Sequence, residues 1–161
     1  MMILGIDPGY AITGVGIIET NGNKHRLVAC DAIRTAADTP FEERLFSLSK
    51  GLTAFIGTHQ PQVAAIEELF FSTNAKTAIA VGQARGVAVL SAIQSGLKVF
   101  SYTPLQVKSA ICGYGKADKN QVQYMVKRLL NLQAAPKPDD VSDALAIAIC
   151  HSHSARLKAL T

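Results

Sequence analysis

Strand-like segments clustered near the start of the chain, then helical and strand-like segments in alternation, predict an α/β fold: a five-stranded mixed sheet flanked by helices. Size and composition agree with this. At 161 residues, 48% hydrophobic and 17% charged, the chain suits one compact domain spanning residues 1–161 with a sizeable core. The longest apolar stretches break at polar residues well short of bilayer-spanning length, and Met1 leads into a strand-like run without a basic leader. A soluble, cytoplasmic protein with no membrane association is expected.

Met2 to Asp7 is a short apolar run that ends at the turn Asp7-Pro8-Gly9, and Thr13 to Thr20 alternates around Val15, Ile17 and Ile18 before a second turn at Asn21-Gly22. His25 to Thr35 supplies a third strand, so the chain opens as an antiparallel meander. Phe41, Leu45, Leu48, Leu52 and Phe55 then recur at helical spacing, with Thr39 as the expected N-cap and Pro40 at the first helical position. Val63 to Ile66 is a buried-strand run closing at Glu67-Glu68. From about Asn74 to Ser95 an Ala-, Val- and Leu-rich helix carries Gly82 and Gly86 four apart, a small face that suits close packing or a dimer contact. Leu97 to Tyr102 is the fifth strand and Pro104 to Ile111 a short helix. A glycine-hinged loop, Gly113-Tyr114-Gly115-Lys116, precedes a helix from about Lys119 to Leu130. Pro136-Lys137-Pro138 imposes an extended approach to a last helix from about Asp140 to Leu157.

Charge is unevenly placed along the chain. Residues 98 to 161 hold nine Lys/Arg against four Asp, and residues 1 to 97 hold seven against eight acids. Because Asp139, Asp140 and Asp143 lie in the basic part, a positive surface surrounds an acidic spot, as expected where a polyanion and a divalent cation meet. An ordinary basic surface would read the same way on charge alone. Cys30, Cys112 and Cys150 are widely spaced in apolar surroundings without zinc-like pairing, and are expected to be buried free thiols.

Four carboxylates, Asp7, Glu67, Asp140 and Asp143, each stand where an element begins or ends. Asp7 alone is also a good turn residue. Glu67 and Glu68 face opposite sides of their strand, so one of them at most looks toward a site. Asp140 and Asp143 share a helix face, and a capping pair would show the same spacing. Taken together, acids at two strand ends and one helix start can converge at one edge of a sheet, where their repulsion calls for a cation. Hard oxygen donors imply magnesium or manganese, and such a site suits phosphodiester cleavage.

Gly5-Ile6-Asp7-Pro8-Gly9, Ile66-Glu67 with Phe70, Gly82-Gln83-Ala84-Arg85-Gly86, and Asp140 with Asp143-Ala144-Leu145-Ala146 together resemble the RuvC family of Holliday junction resolvases. Their order and spacing cover nearly the whole chain. The first block alone is shared with the wider ribonuclease-H-like and actin-like groups, and the four combined are specific. The resemblance implies a ribonuclease-H-like fold and a homodimer with two active sites. It also implies a crossover junction endodeoxyribonuclease that symmetrically nicks two strands of like polarity at a four-way junction during recombination and repair. Asp7, Glu67, Asp140 and Asp143 become the catalytic metal ligands, with a metal-activated water as nucleophile. Mg2+ is the expected ion, Mn2+ its substitute, two per active site once DNA is bound. Helix spacing with Asp143 favours Asp140 over Asp139 as the ligand. Lys108 and Lys119, with Lys116 nearby, match positions that contact junction phosphates, and Phe70 matches an aromatic that stacks or wedges at the opened junction centre. A junction-binding protein and a hexameric branch-migration motor, of the RuvA and RuvB type, are the implied partners.

Two other classes compete with this reading. A nucleotide-binding module would use the Asp-Pro-Gly turn as a phosphate loop, and it would need a second domain to enclose its ligand. A catalytically silent junction-binding protein would lack at least one of the four carboxylates, and all four are present.

Overall fold

A computed structural model of the chain describes residues 1–69 and 75–159. Its elements run β1 (Met2–Asp7), β2 (Ile12–Asn21), β3 (Lys24–Arg34), α1 (Phe41–His59), β4 (Val63–Glu67), α2 (Ala75–Gln94), β5 (Lys98–Tyr102), α3 (Pro104–Cys112), α4 (Lys119–Leu129) and α5 (Asp139–Ala159). The five strands form one mixed sheet in the order β3-β2-β1-β4-β5. β1, β2 and β3 pair antiparallel as the opening meander, while β4 and β5 add in parallel on the other side of β1.

Alternation of side chains sorts the strands into two faces. Ile3, Ile18 and Ala65 pack with α3, α4 and α5 on one side, and Leu4, Ile6, Val15, Ile17, Ala64 and Ile66 pack with α1 and α2 on the other. Gly5 and Asp7 share the parity of Ile3, and Glu67 that of Ala65, so both acids belong to the α5 side. Helix α5 is buried on nearly every side from Val141 to Ser152, because the sheet covers one flank and α3 and α4 the other. Its close approach depends on glycine. A Cβ on Gly5 would run into the Ala144 carbonyl oxygen, and one on Gly14 into the Asp140 carbonyl oxygen.

Helix starts are set locally. Thr103 caps α3 and Asp118 caps α4, each in a reciprocal capping box, with Gln106 and Gln121 respectively. Helix α1 departs from expectation: it begins at Phe41, and Pro40, with ψ of 144°, is the residue before it and makes no side-chain cap. Pro40 is extended and stands outside the first turn, which removes Thr39 from the capping position. Helix α5 begins at Asp139, so Asp140 and Asp143 both lie inside it and are not an N-cap with its partner. Of the thiols only Cys150 is fully buried, while Cys30 and Cys112 are half-exposed near the edges of the core. Among the described residues, no helix is long and apolar enough to cross a membrane.

Candidate active site

Asp7 is the last residue of β1 and Glu67 the last of β4. Because Ile6 stands opposite Ile66 in the parallel pairing, the two carboxylates emerge side by side from adjacent strand ends. The carboxyl ends of parallel strands are where open α/β sheets place their ligand sites. The turn after Asp7 is tied closed by Thr13, whose hydroxyl donates to the Gly9 carbonyl at 2.6 Å. Across the sheet, Asp7 pairs with Gly14, and the bare backbone of Gly14 lets the first turn of α5 lie against the strand. That contact delivers Asp140 and Asp143 to the same end of the sheet.

Electrostatics records the crowding. Burial and then the charges of Glu67, Asp143 and Asp140 push the Asp7 carboxyl up to about 8, against a smaller opposing pull from Lys119. Burial and the Asp143 charge raise Glu67 to about 7, with Lys108 pulling the other way. Asp143 is raised as well, burial outweighing the Lys119 ammonium beside it. Three acids at one spot thus resist ionising together, which is the behaviour of a carboxylate cluster built for a cation.

Asp139 behaves differently from its neighbours. Lys137 donates to it at 2.8 Å and Lys119 lies 3.4 Å away, and these cations hold its exposed carboxyl below the usual range. The Asp140 charge is among those that raise Asp7. Asp139 is thus engaged by the lysines, while Asp140 adds to the field at Asp7.

Lys119, the first residue of α4, also reaches Asp143 at 3.4 Å. With Glu67, Lys108 and Asp143 it lines a cavity of about 220 Å³ whose apolar wall includes Val107 and Val122. Lys116 is exposed on the loop that precedes α4. Phe70 and Phe71 lie outside the described residues. Arg85 lies midway along α2. Its Nε donates to the Glu67 carbonyl oxygen at 2.9 Å and its Nη2 to the Ser101 hydroxyl at 2.9 Å, so it pins the end of β4 from which Glu67 projects. The sequence signal was a cation midway along a helix of small apolar residues.

The donor set fits a hard divalent cation in its chemistry: clustered carboxylate oxygens, partly desolvated, whose joint ionisation needs positive charge. As they stand, no three His, Cys, Asp or Glu side chains among the described residues are arranged to hold an ion. Lys119 meanwhile takes up Asp143, an internal cation beside the mutually repelling acids.

The family model for the crossover junction endodeoxyribonuclease RuvC matches residues 3–151. The chain is 59% identical to the crossover junction endodeoxyribonuclease RuvC of Desulfitobacterium hafniense, over 98% of this chain and 95% of that protein. Its identity to the protein of the same name from Pelotomaculum thermopropionicum is 58%, over 95% and 93%. The solved structure of T. thermophilus RuvC in complex with Holliday junction substrate superposes with a TM-score of 0.93, at 35% identity, covering 98% of this chain and 96% of that one. The five-stranded mixed sheet with flanking helices is accordingly the ribonuclease-H-like fold expected, and the chain belongs to the RuvC family of crossover junction endodeoxyribonucleases.

Proposed function

We propose that this chain resolves Holliday junctions as a single nuclease domain, with Asp7, Glu67, Asp140 and Asp143 as the catalytic carboxylates and as the ligands of Mg2+, or of Mn2+ in its place. The observation that carries this reading is the side-by-side exit of Asp7 and Glu67 beneath the first turn of α5, with ionisation of Asp7 held back by burial and by its three acidic neighbours. Bound divalent cations, two per site once DNA is present, supply the charge that activates a water and stabilises the leaving oxygen in phosphodiester hydrolysis.

The chain's own groups do the rest. Asp7 and Glu67 are fixed by strand ends, so their carboxylates are positioned before substrate arrives; Asp140 and Asp143 come on a rigid helix. Lys108, Lys116 and Lys119 receive junction phosphates, and a phosphate at Lys119 would draw its ammonium away from Asp143. Phe70 wedges at the opened centre of the junction. Two copies related by a two-fold axis present two such sites to a near-two-fold substrate, giving paired nicks in strands of like polarity. A junction-binding protein and a branch-migration motor of the RuvA and RuvB type feed it substrate in the cytoplasm.

The direct test incubates the purified protein with an end-labelled synthetic four-way junction and a linear duplex, with Mg2+, with Mn2+ and with chelator. Paired symmetric nicks on the junction alone, absent with chelator, are expected on a denaturing gel. Junction binding without cleavage in either metal would replace this reading with the silent binding module.

A further inference from the structure

At the opposite end of α5 from the carboxylates, about 21 Å along the helix axis from Asp139, His153 meets His25 of β3. The two Nε2 atoms are 3.3 Å apart and the rings lie 5.4 Å between centroids. His153 Nδ1 faces the Ala110 carbonyl oxygen of α3 at 3.2 Å. A carbonyl only accepts, so Nδ1 carries the proton and His153 Nε2 presents its lone pair. His25 Nε2 then donates to that lone pair, and His25 Nδ1 is left buried without a hydrogen-bond partner. None of these groups belongs to the nuclease site.

This arrangement has the form of a metal-binding half-site. Two imidazole nitrogens bound at roughly 2.0–2.1 Å to one tetrahedral zinc stand roughly 3.3–3.4 Å apart, the spacing already present here. A ligating histidine whose other ring nitrogen donates to a backbone carbonyl is oriented and made more basic by it, as His153 is by Ala110. His25 also lines an open, polar recess with Thr20 and Lys24. The two ligands come from different elements, and next door Thr20 of β2, the strand paired with β3, meets Ser152 of α5 at 3.0 Å.

We infer that His25 and His153 form a second metal site, taking one borderline-soft divalent cation of the zinc type through both Nε2 atoms, with water completing the shell. The ion replaces the proton between the rings, and that proton moves to His25 Nδ1. Because Nδ1–H has no acceptor there, His25 is the weaker of the two ligands. The site staples β3 to α5, and through Ala110 to α3, at the end of the molecule away from the chemistry.

The test titrates the full-length protein with Zn2+, and with Co2+ for its tetrahedral visible absorption, in excess Mg2+ so that the carboxylates are already occupied. One ion per chain and a raised melting temperature are expected. His25→Gln and His153→Gln should each weaken binding at least tenfold, while Asp7→Asn should bind the ion as the unaltered chain does. Imidazole NMR signals of the unaltered protein read the same site without substitution, and both His25 and His153 should shift at one equivalent. No binding, binding unmoved by either histidine substitution, or shifts confined to other histidines would overturn the assignment.

Discussion

Asp7 is where stability and chemistry oppose each other. Its folded-state pKa, about 8 against an ordinary 3.8, means that the folded protein keeps a proton which the unfolded chain gives up over that interval. The sign follows directly: this group's contribution to stability is fully present below about pH 4 and is lost as pH rises toward 8. Glu67, raised to about 7, adds to the same trend. Asn at position 7 keeps the hydrogen-bonding shape without a charge. In chelator, Asp7→Asn should therefore be more stable than the unaltered protein by an amount that grows between pH 4 and 8, reaching on the order of a few kcal/mol. Thermal melts across that range read it, and a parallel pH profile for the two proteins would refute the electrostatic account. The same variant should bind a four-way junction and leave it uncut with any metal; retained metal-dependent nicking would remove Asp7 from the ligand set.

At the scale of elements, the site depends on how closely α5 lies on β1 and β2, and Gly14 sets that distance. A methyl group there meets the backbone oxygen and carbon of Asp140, so relief requires moving the start of α5, not the end of a flexible side chain. Gly14→Ala should cost about 1–3 kcal/mol in chemical denaturation. Since the displaced turn carries Asp140, cleavage should fall roughly 100-fold with junction affinity little changed. Normal cleavage in a destabilised variant would show that α5 placement and Asp140 placement are uncoupled. Much of this architecture was legible in advance: apolar runs ending at Asp7 and Glu67 located the strand ends, and strand parity separated Glu67 from Glu68. What composition could not reveal was tertiary. Asp139 and Asp140 are adjacent acids in one helical turn; helix spacing with Asp143 favours Asp140, and the reach of Lys119 and Lys137 to Asp139 is what the sequence does not show. The role of Arg85 is not legible in the sequence because one of its acceptors is the main-chain oxygen of Glu67, a group every residue has. Thr39 looked like a cap because Pro often opens a helix, whereas Pro40 here is extended.

At the scale of the whole molecule, the feature that asks for a partner is the outer face of α2. Ile79, Gln83, Gly86, Leu90 and Ile93 recur at spacings of three and four residues, and Ile79, Leu90 and Ile93 are 66%, 54% and 55% exposed. Large aliphatic side chains aligned on one helix face are an expensive surface to leave in water. A Cβ at Gly86 would touch nothing, so a second backbone can come close at the middle of the stripe. Phe46 is a further exposed aromatic, 69% exposed, on the neighbouring helix α1. A two-fold axis across α2 would make this stripe self-complementary, because each copy would offer the same face. The inner side of α2 carries Arg85, which holds the Glu67 backbone, so an interface that fixed α2 would also steady one of the proposed catalytic carboxylates. Introducing like charges, Leu90→Glu with Ile93→Glu, should leave the fold intact by circular dichroism and shift the protein from dimer to monomer in light scattering. If the two sites act together only through this interface, the doubly substituted chain should lose the paired nicks, giving at most single cuts at one arm. A dimer that persists through both substitutions would move the axis to another surface, and Phe46 on α1 would be the next residue to charge.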